Sequence, residues 1–169
     1  TYPLLGNEFN PSFYDNCPGT SILNDFNTSP SLSGEQLPKG STTITWTATD
    51  ANGLTSTCTI TVNVNDSQPP DLSCPAGNPF LRSSDNGVCF YTVTGTEFDP
   101  AYADNCPGVS IINDFNNAGT LDGVELPKGN NTITWTATDA AGLTSSCSIT
   151  VIVADDQPPL ITCPAGSPF

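Results

Sequence analysis

The sequence contains no histidine and no methionine, and Lys39, Arg82 and Lys128 are its only basic residues. Each shortage excludes something. Without histidine there is no Ser-His-Asp or Cys-His arrangement for nucleophilic catalysis. The seven cysteines include no Cys-x-x-Cys pair and have no histidine beside them, so a zinc site is not indicated. Three cations against 17 acidic residues give a formal net charge of −14. Nucleic acid and anionic lipid surfaces would be repelled, whereas cations would be attracted. No apolar run has membrane-spanning length, and no signal-peptide pattern opens the chain. No segment carries an apolar stripe at helical period. The missing Met and a start inside a repeated pattern lead us to expect an internal or processed piece of something longer.

What is present is a repeat. Asp15-Asn16-Cys17-Pro18-Gly19 returns as Asp104-Asn105-Cys106-Pro107-Gly108. The spacing is 89 residues throughout: Cys17 to Cys106, Trp46 to Trp135, Cys58 to Cys147 and Cys74 to Cys163. A fixed period of this length predicts tandem units. The Pro-Pro steps at Pro69-Pro70 and Pro158-Pro159 stop strand pairing and stiffen the passage. They place the units at 1–68 and 69–157. Residues 158–169 are left as the opening strand of a further repeat or as a strand donated to a neighbouring subunit.

Within each unit the pattern is that of strands. Ile44, Trp46 and Ala48 alternate with threonines, and so do Ile133, Trp135 and Ala137. Asp50-Ala51-Asn52-Gly53 and Asp139-Ala140-Ala141-Gly142 read as hairpin turns, since Asp bonds turn amides and Gly accepts positive φ. The returning strands carry Cys58, Ile60, Val62 and Val64, or Cys147, Ile149, Val151 and Val153, on one face. Leu37-Pro38-Lys39-Gly40 and Leu126-Pro127-Lys128-Gly129 suit type I turns. Phe26 and Phe115 are expected to pack inward. The fold class is all-β, with about seven short strands per unit arranged as a sandwich.

Cysteines that recur with a strand pattern point to disulfides, and so to secretion or the cell surface. Four per unit allow three pairings. The arrangement favoured here is Cys17–Cys58 and Cys106–Cys147 across the cores, with Cys74–Cys89 joining the first two strands of the second unit. Cys163 then expects a partner 15 residues on, outside the chain, and the first unit lacks its opening strand and first cysteine. Either the chain is a window on a long array, or its terminal strand fills the empty first-strand position of another subunit.

Taken together, the series Pro-Pro-x-x-x-Cys-Pro, Asp-Asn-Cys, Leu-Pro-Lys-Gly, Thr-Ile-Thr-Trp-Thr-Ala-Thr-Asp-Ala-x-Gly and Ser-x-Cys-x-Ile-Thr-Val resembles the hyalin repeat (HYR) domain. The resemblance covers nearly the whole chain. It implies an immunoglobulin-like sandwich in extracellular adhesion proteins, and the even spacing is similar to that of tandem arrays in Bacteroidota-type surface adhesins. The family commonly has Tyr where Trp46 and Trp135 stand, and both are large aromatics.

Paired carboxylates offer glycosidase-like chemistry only in principle, because the acids fall in repeat-equivalent turns; the chain is read as a non-enzyme. No cofactor is required. Calcium is the chemical candidate, since hard cations take several carboxylate and carbonyl oxygens. One candidate set is Asp15, Asn16 and Asp50, with its copy Asp104, Asn105 and Asp139. The other is Asp66 with Asp155 and Asp156 at the unit ends. Asn27 and Asn130 match the N-glycosylation sequon. The expected role is that of a structural unit in an extracellular filament, stalk or adhesin, a semi-rigid, protease-resistant rod. The alternative is a carbohydrate-binding or accessory module of a secreted enzyme. The expected partners are neighbouring repeats, copies of itself and surface glycans.

Overall fold

The computed structural model describes residues 1–163 and contains strands, turns and irregular segments. Among these residues no helix is long and apolar enough to cross a membrane. The chain divides into two compact units, Thr1–Asp66 and Ser67–Phe169.

Among its described residues the second unit holds eight strands: β6 (Asp71–Ser73), β7 (Phe80–Ser83), β8 (Phe90–Thr92), β9 (Ala101–Ala103), β10 (Ser110–Asn113), β11 (Glu125–Pro127), β12 (Gly129–Thr138) and β13 (Thr144–Ala154). The long hairpin β12–β13 is its spine, with Trp135 opposite Cys147 and Ile133 opposite Ile149. β10 and β7 flank the hairpin to give the sheet order β10-β12-β13-β7. β7 runs parallel to β13. The pairs β11-β8 and β6-β9 form separate short sheets. Val93, Phe98, Leu121, Leu126, Ile133, Trp135, Ile149, Val151 and Val153 are buried together as one core. The alternating residues of β12 and β13 thus face inward as the two-residue period requires, and the unit is an immunoglobulin-like sandwich.

The first unit repeats this plan with fewer strands: β1 (Tyr2–Pro3), β2 (Ser21–Asn24), β3 (Gln36–Leu37), β4 (Gly40–Thr49) and β5 (Thr55–Val64). Its sheet is β2-β4-β5, and Trp46 again stands opposite Cys58. Leu4, Ile22, Leu32, Leu37, Ile44 and Trp46 are its buried core. Residues 12–14, the counterparts of β9, are not in a strand.

The turns form for the reasons read from sequence. Asp50 Oδ1 accepts from the Asn52 and Leu54 amides at 2.9 and 2.8 Å, and Gly53 has φ of 83°. Asp139 Oδ1 accepts from the Ala141 and Leu143 amides at 2.8 and 2.7 Å. Phe26 and Phe115 do not pack inward. They follow the bends at Asn24 and Asn113 and are 37% and 38% exposed.

Candidate functional site

The disulfide framework is the first place where tertiary structure departs from expectation. Cys74 bonds Cys147, while Cys17, Cys58, Cys89 and Cys163 are free. This replaces the expected Cys74–Cys89 and Cys106–Cys147 pairs, and the Cys17–Cys58 pair is not formed either. The reason is where each cysteine lies along the hairpin. Cys147 faces Trp135 within the ladder, and β6 brings Cys74 against the same core. Cys106 lies in the loop whose Gly108 abuts the Ala140 turn; a Cβ on that glycine would sit 3.1 Å from Ala140 Cβ. Cys89 lies at the opposite end of β12, where its carbonyl accepts the Lys128 amide. Ten strand residues separate these ends, about 30 Å at the strand rise, so Cys89 and Cys106 of one unit cannot meet.

In the first unit the same comparison exposes a cavity of about 430 Å³. Its lining includes Phe13, Tyr14, Ile22, Trp46, Ala48 and Cys58. These residues occupy the position that β6, Leu72 and Cys74 cover in the second unit. There, β6 pairs antiparallel with β9, Leu72 opposite Tyr102, and Leu72 and Cys74 pack on the core.

Asp15 and Asp50 line this cavity. Asp15 accepts from the Cys17 amide and the Thr20 hydroxyl, both at 3.2 Å, and Asn16 is exposed. In the second unit Asp104 Oδ1 accepts from the Cys106 amide at 2.7 Å, and Asn105 donates to Gln68. Asp104 Oδ2 and Asp139 Oδ2 are buried without a hydrogen-bond partner. Their first-unit counterparts show no such orphaned oxygens. At the unit ends, Asp66 pairs with Lys39 at 3.2 Å and Asp155 with Lys128 at 3.1 Å. The Lys128 hydrogen bond and the Gln157 amide hold the Asp155 carboxyl below its usual range. Asp156 accepts from the Ser83 hydroxyl at 2.7 Å.

The sequence profile of the HYR domain matches residues 8–64 and again 65–153. The chain belongs to the HYR domain family. Hyalin from Lytechinus variegatus is 30% identical over 159 residues, spanning 92% of this chain and 28% of that protein. Hyalin from Strongylocentrotus purpuratus is 32% identical over 136 residues, 78% of this chain and 11% of that protein. The chain therefore spans less than a third of the length of these relatives. Among solved structures, that of a protocadherin gammaB7 EC3-6 cis-dimer aligns with 89% of this chain and 44% of its own, with TM-score 0.36 and 19% identity. The hyalins are animal proteins, so the Bacteroidota-type setting suggested by the even spacing gains no support from them.

Both HYR units carry one polar centre that residue patterns did not single out. Asn24 and Asn113 are buried. Each side-chain oxygen accepts two backbone amides, Phe26 and Asn27 or Phe115 and Asn116, all at 2.9 Å. Each amide nitrogen donates to the following asparagine, Asn27 or Asn116, and to the Ser29 or Ala118 carbonyl. Asp25 and Asp114 then accept the Thr45 and Thr134 amides at 2.8 Å. The repeated Asn-Asp-Phe-Asn was the available signal. It commits Asn27 Nδ2 to the Ser31 carbonyl and Glu35, both at 3.0 Å, which a glycan there would have to displace. Asn130 is exposed in β12, opposite Ile152.

The second HYR unit adds an arginine to a cluster that the first unit holds only as Glu8 with the Tyr2 hydroxyl and the Leu5 amide. Arg82 lies 5.0 Å from the Phe98 ring and 2.8 Å from Glu97. Glu97 also accepts from the Tyr91 hydroxyl at 2.6 Å and the Thr94 amide at 3.2 Å. Burial alone would raise the Glu97 carboxyl, but these donors outweigh it and hold it below the usual range.

Proposed function

We propose that this pair of HYR units is a structural module of an extracellular adhesion-type protein, a stalk or filament segment that spaces and presents an adhesive element. The observation that carries the reading is the tandem of two HYR sandwiches, one of them closed by Cys74–Cys147. A bonded pair of this kind belongs to an oxidising compartment outside the cytosol. The Pro-Pro steps between repeats stiffen the passage, which suits a semi-rigid, protease-resistant stalk. The test is display of the chain on beads, followed by bead aggregation and limited proteolysis with and without reductant. Aggregation together with resistance that falls on reduction supports the module. Inert beads and rapid cleavage under oxidising conditions overturn it.

Calcium fits this reading in the second unit. The orphaned, buried oxygens of Asp104 and Asp139 are the acceptors a hard cation takes. Melting in calcium against melting in chelator tests it. A rise confined to the transition of the second unit is expected, and an unchanged midpoint removes the ion.

A further inference from the structure

We infer that the seam between strands β9 and β10 of the second HYR unit is a binding groove for a short, uncharged oligosaccharide, with Tyr102 as its stacking face and Asp99 as its hydroxyl acceptor. The inference deepens the structural-module reading by naming what such a module holds on to, and it rests on that reading only for its extracellular setting. Its test follows a soluble sugar on single chains, so it can fail while bead aggregation and protease resistance stand.

The groove forms where two strand edges meet without pairing. β10 is the outer strand of its four-stranded sheet, and β9 pairs only with β6 among the described residues. A cavity of about 400 Å³ runs between these edges, and its lining includes Thr96, Asp99, Pro100, Tyr102, Ile111 and Gly119. Gly119 leaves room beside Ile111: a Cβ there would lie 3.3 Å from the Ile111 carbonyl oxygen. Tyr102 is 47% exposed. It also lines a second cavity, of about 410 Å³, over Asp71 and Ser73 of β6. An aromatic ridge between two hollows suits consecutive sugar rings.

The lining selects the ligand class. A pyranose ring offers an apolar C–H face and a rim of hydroxyls. The Tyr102 ring supplies the apolar surface on which such a face stacks. Asp99 Oδ1 takes the Leu121 amide at 3.2 Å, which fixes the carboxylate and leaves Oδ2 for sugar hydroxyls. Hydrogen bonds to a charged acceptor are the strong ones. The exposed Thr96 hydroxyl can donate or accept beside it. Among the described residues neither cavity is lined by a cation, and the chain carries a net charge of −14, so acidic sugars are repelled. A peptide strand is the other occupant that an open edge can take. β9 and β10 are only three and four residues long, and Pro100 precedes β9, features that blunt an edge against strand pairing.

The first unit supplies the contrast. Asn7, Asn10, Phe13 and Pro30 stand there in place of Thr96, Asp99, Tyr102 and Gly119. Asn10 Nδ2 donates to Asn7 Oδ1 at 2.9 Å and to the Ser31 hydroxyl at 3.1 Å, and Asn10 Oδ1 accepts the Leu32 amide at 3.2 Å. Both polar ends of Asn10 are thus used within its own loop. The four differences gather round one groove, and in the second unit they replace that internal bonding with a carboxylate, a hydroxyl and open space.

The experiment titrates the 15N-labelled 169-residue chain with chitotriose, cellotriose, mannotriose and laminaritriose, and with sialyllactose as the acidic comparison, while amide NMR signals are followed. A saturable shift of the Tyr102, Ile111 and Gly119 amides is expected with at least one neutral trisaccharide, and none with sialyllactose. Tyr102→Ala should weaken that binding about tenfold. Asp99→Asn keeps the acceptor for the Leu121 amide, as Asn10 does for Leu32, and should weaken binding about fivefold. Phe13→Ala, the matching change in the first unit, should leave the affinity unaltered. Unmoved signals away from the groove show that each variant is folded. The inference is overturned by the absence of a saturable shift with all four neutral sugars, by shifts confined to the first unit, or by equal affinity in Tyr102→Ala. It is equally overturned by tighter binding of sialyllactose, or by a groove shift that a Thr-Val-Thr-Val-Thr peptide produces and the sugars do not.

Discussion

The two HYR units place nearly the same residues at the same positions, yet they bury them differently. Ile149, Val151 and Val153 are buried in the second, whereas their counterparts Ile60, Val62 and Val64 are only partly covered. Phe98 is fully buried between Phe80, Tyr91 and Arg82, while Phe9 is half-exposed. The difference lies in strands β6 and β7, which the first unit lacks among the described residues. Burial is thus a property of the closed sandwich and not of the hairpin that carries the apolar residues. A face with period two is ready for a core, but the facing layer decides whether water leaves.

The comparison can be broken most sharply at the tryptophans. Trp135→Ala should cost about 3–5 kcal/mol in urea unfolding, the usual range for a buried aromatic. Trp46→Ala should cost less, because the cavity beside Trp46 already leaves part of its contact surface unmatched. Equal losses would mean that the cavity is closed in solution.

Next comes the disulfide. Cys74 and Cys147 enclose a separation of 73 residues, so their reduction should remove about 4 kcal/mol from the second unit in the chain-entropy estimate. Thermal melting with and without reductant should move one transition and leave the other in place. Movement of both would show that the units unfold together.

Asn24 and Asn113 should behave alike, since the same loop surrounds each. Alanine at either position strands two backbone amides and a carbonyl, and about 1–3 kcal/mol is expected from each, measured by chemical denaturation. This pair is the internal control: a large inequality would show that even local polar centres depend on the layer that β6 and β7 supply.

The smallest effect concerns Glu97. Glu97→Gln should cost about 1 kcal/mol in the second unit, and Glu8→Gln, whose partners are the Tyr2 hydroxyl and the Leu5 amide, less. The sign with pH follows from the depressed Glu97 carboxyl. Its contribution is fully present above the unfolded carboxylate range and is lost as pH falls through the lower, folded value. An acid titration of stability should therefore lose a step in Glu97→Gln.

How much of this was legible depends on the distance over which each feature is decided. The hairpins β4–β5 and β12–β13, their inward residues and the Asp-to-Gly turns were readable, since period two and turn chemistry act between neighbours. The Asn24 and Asn113 loops were visible as a repeated tetrad, but their role was not, because an asparagine's four hydrogen bonds leave no periodic trace. Phe26 and Phe115 were read as core from their apolar character alone, and the bends beside them turn them outward.

The sequence by itself determined that the chain is two all-β repeats of one period, rich in acids and equipped with thiols. Tertiary structure alone decided which thiols meet. Four cysteines leave three pairings equal on paper, and only the crossing of β6 over the core brings Cys74 to Cys147. Cys58, the counterpart of Cys147 in a closely similar strand, has no such strand laid over it among the described residues and is an exposed thiol lining the cavity beside Trp46.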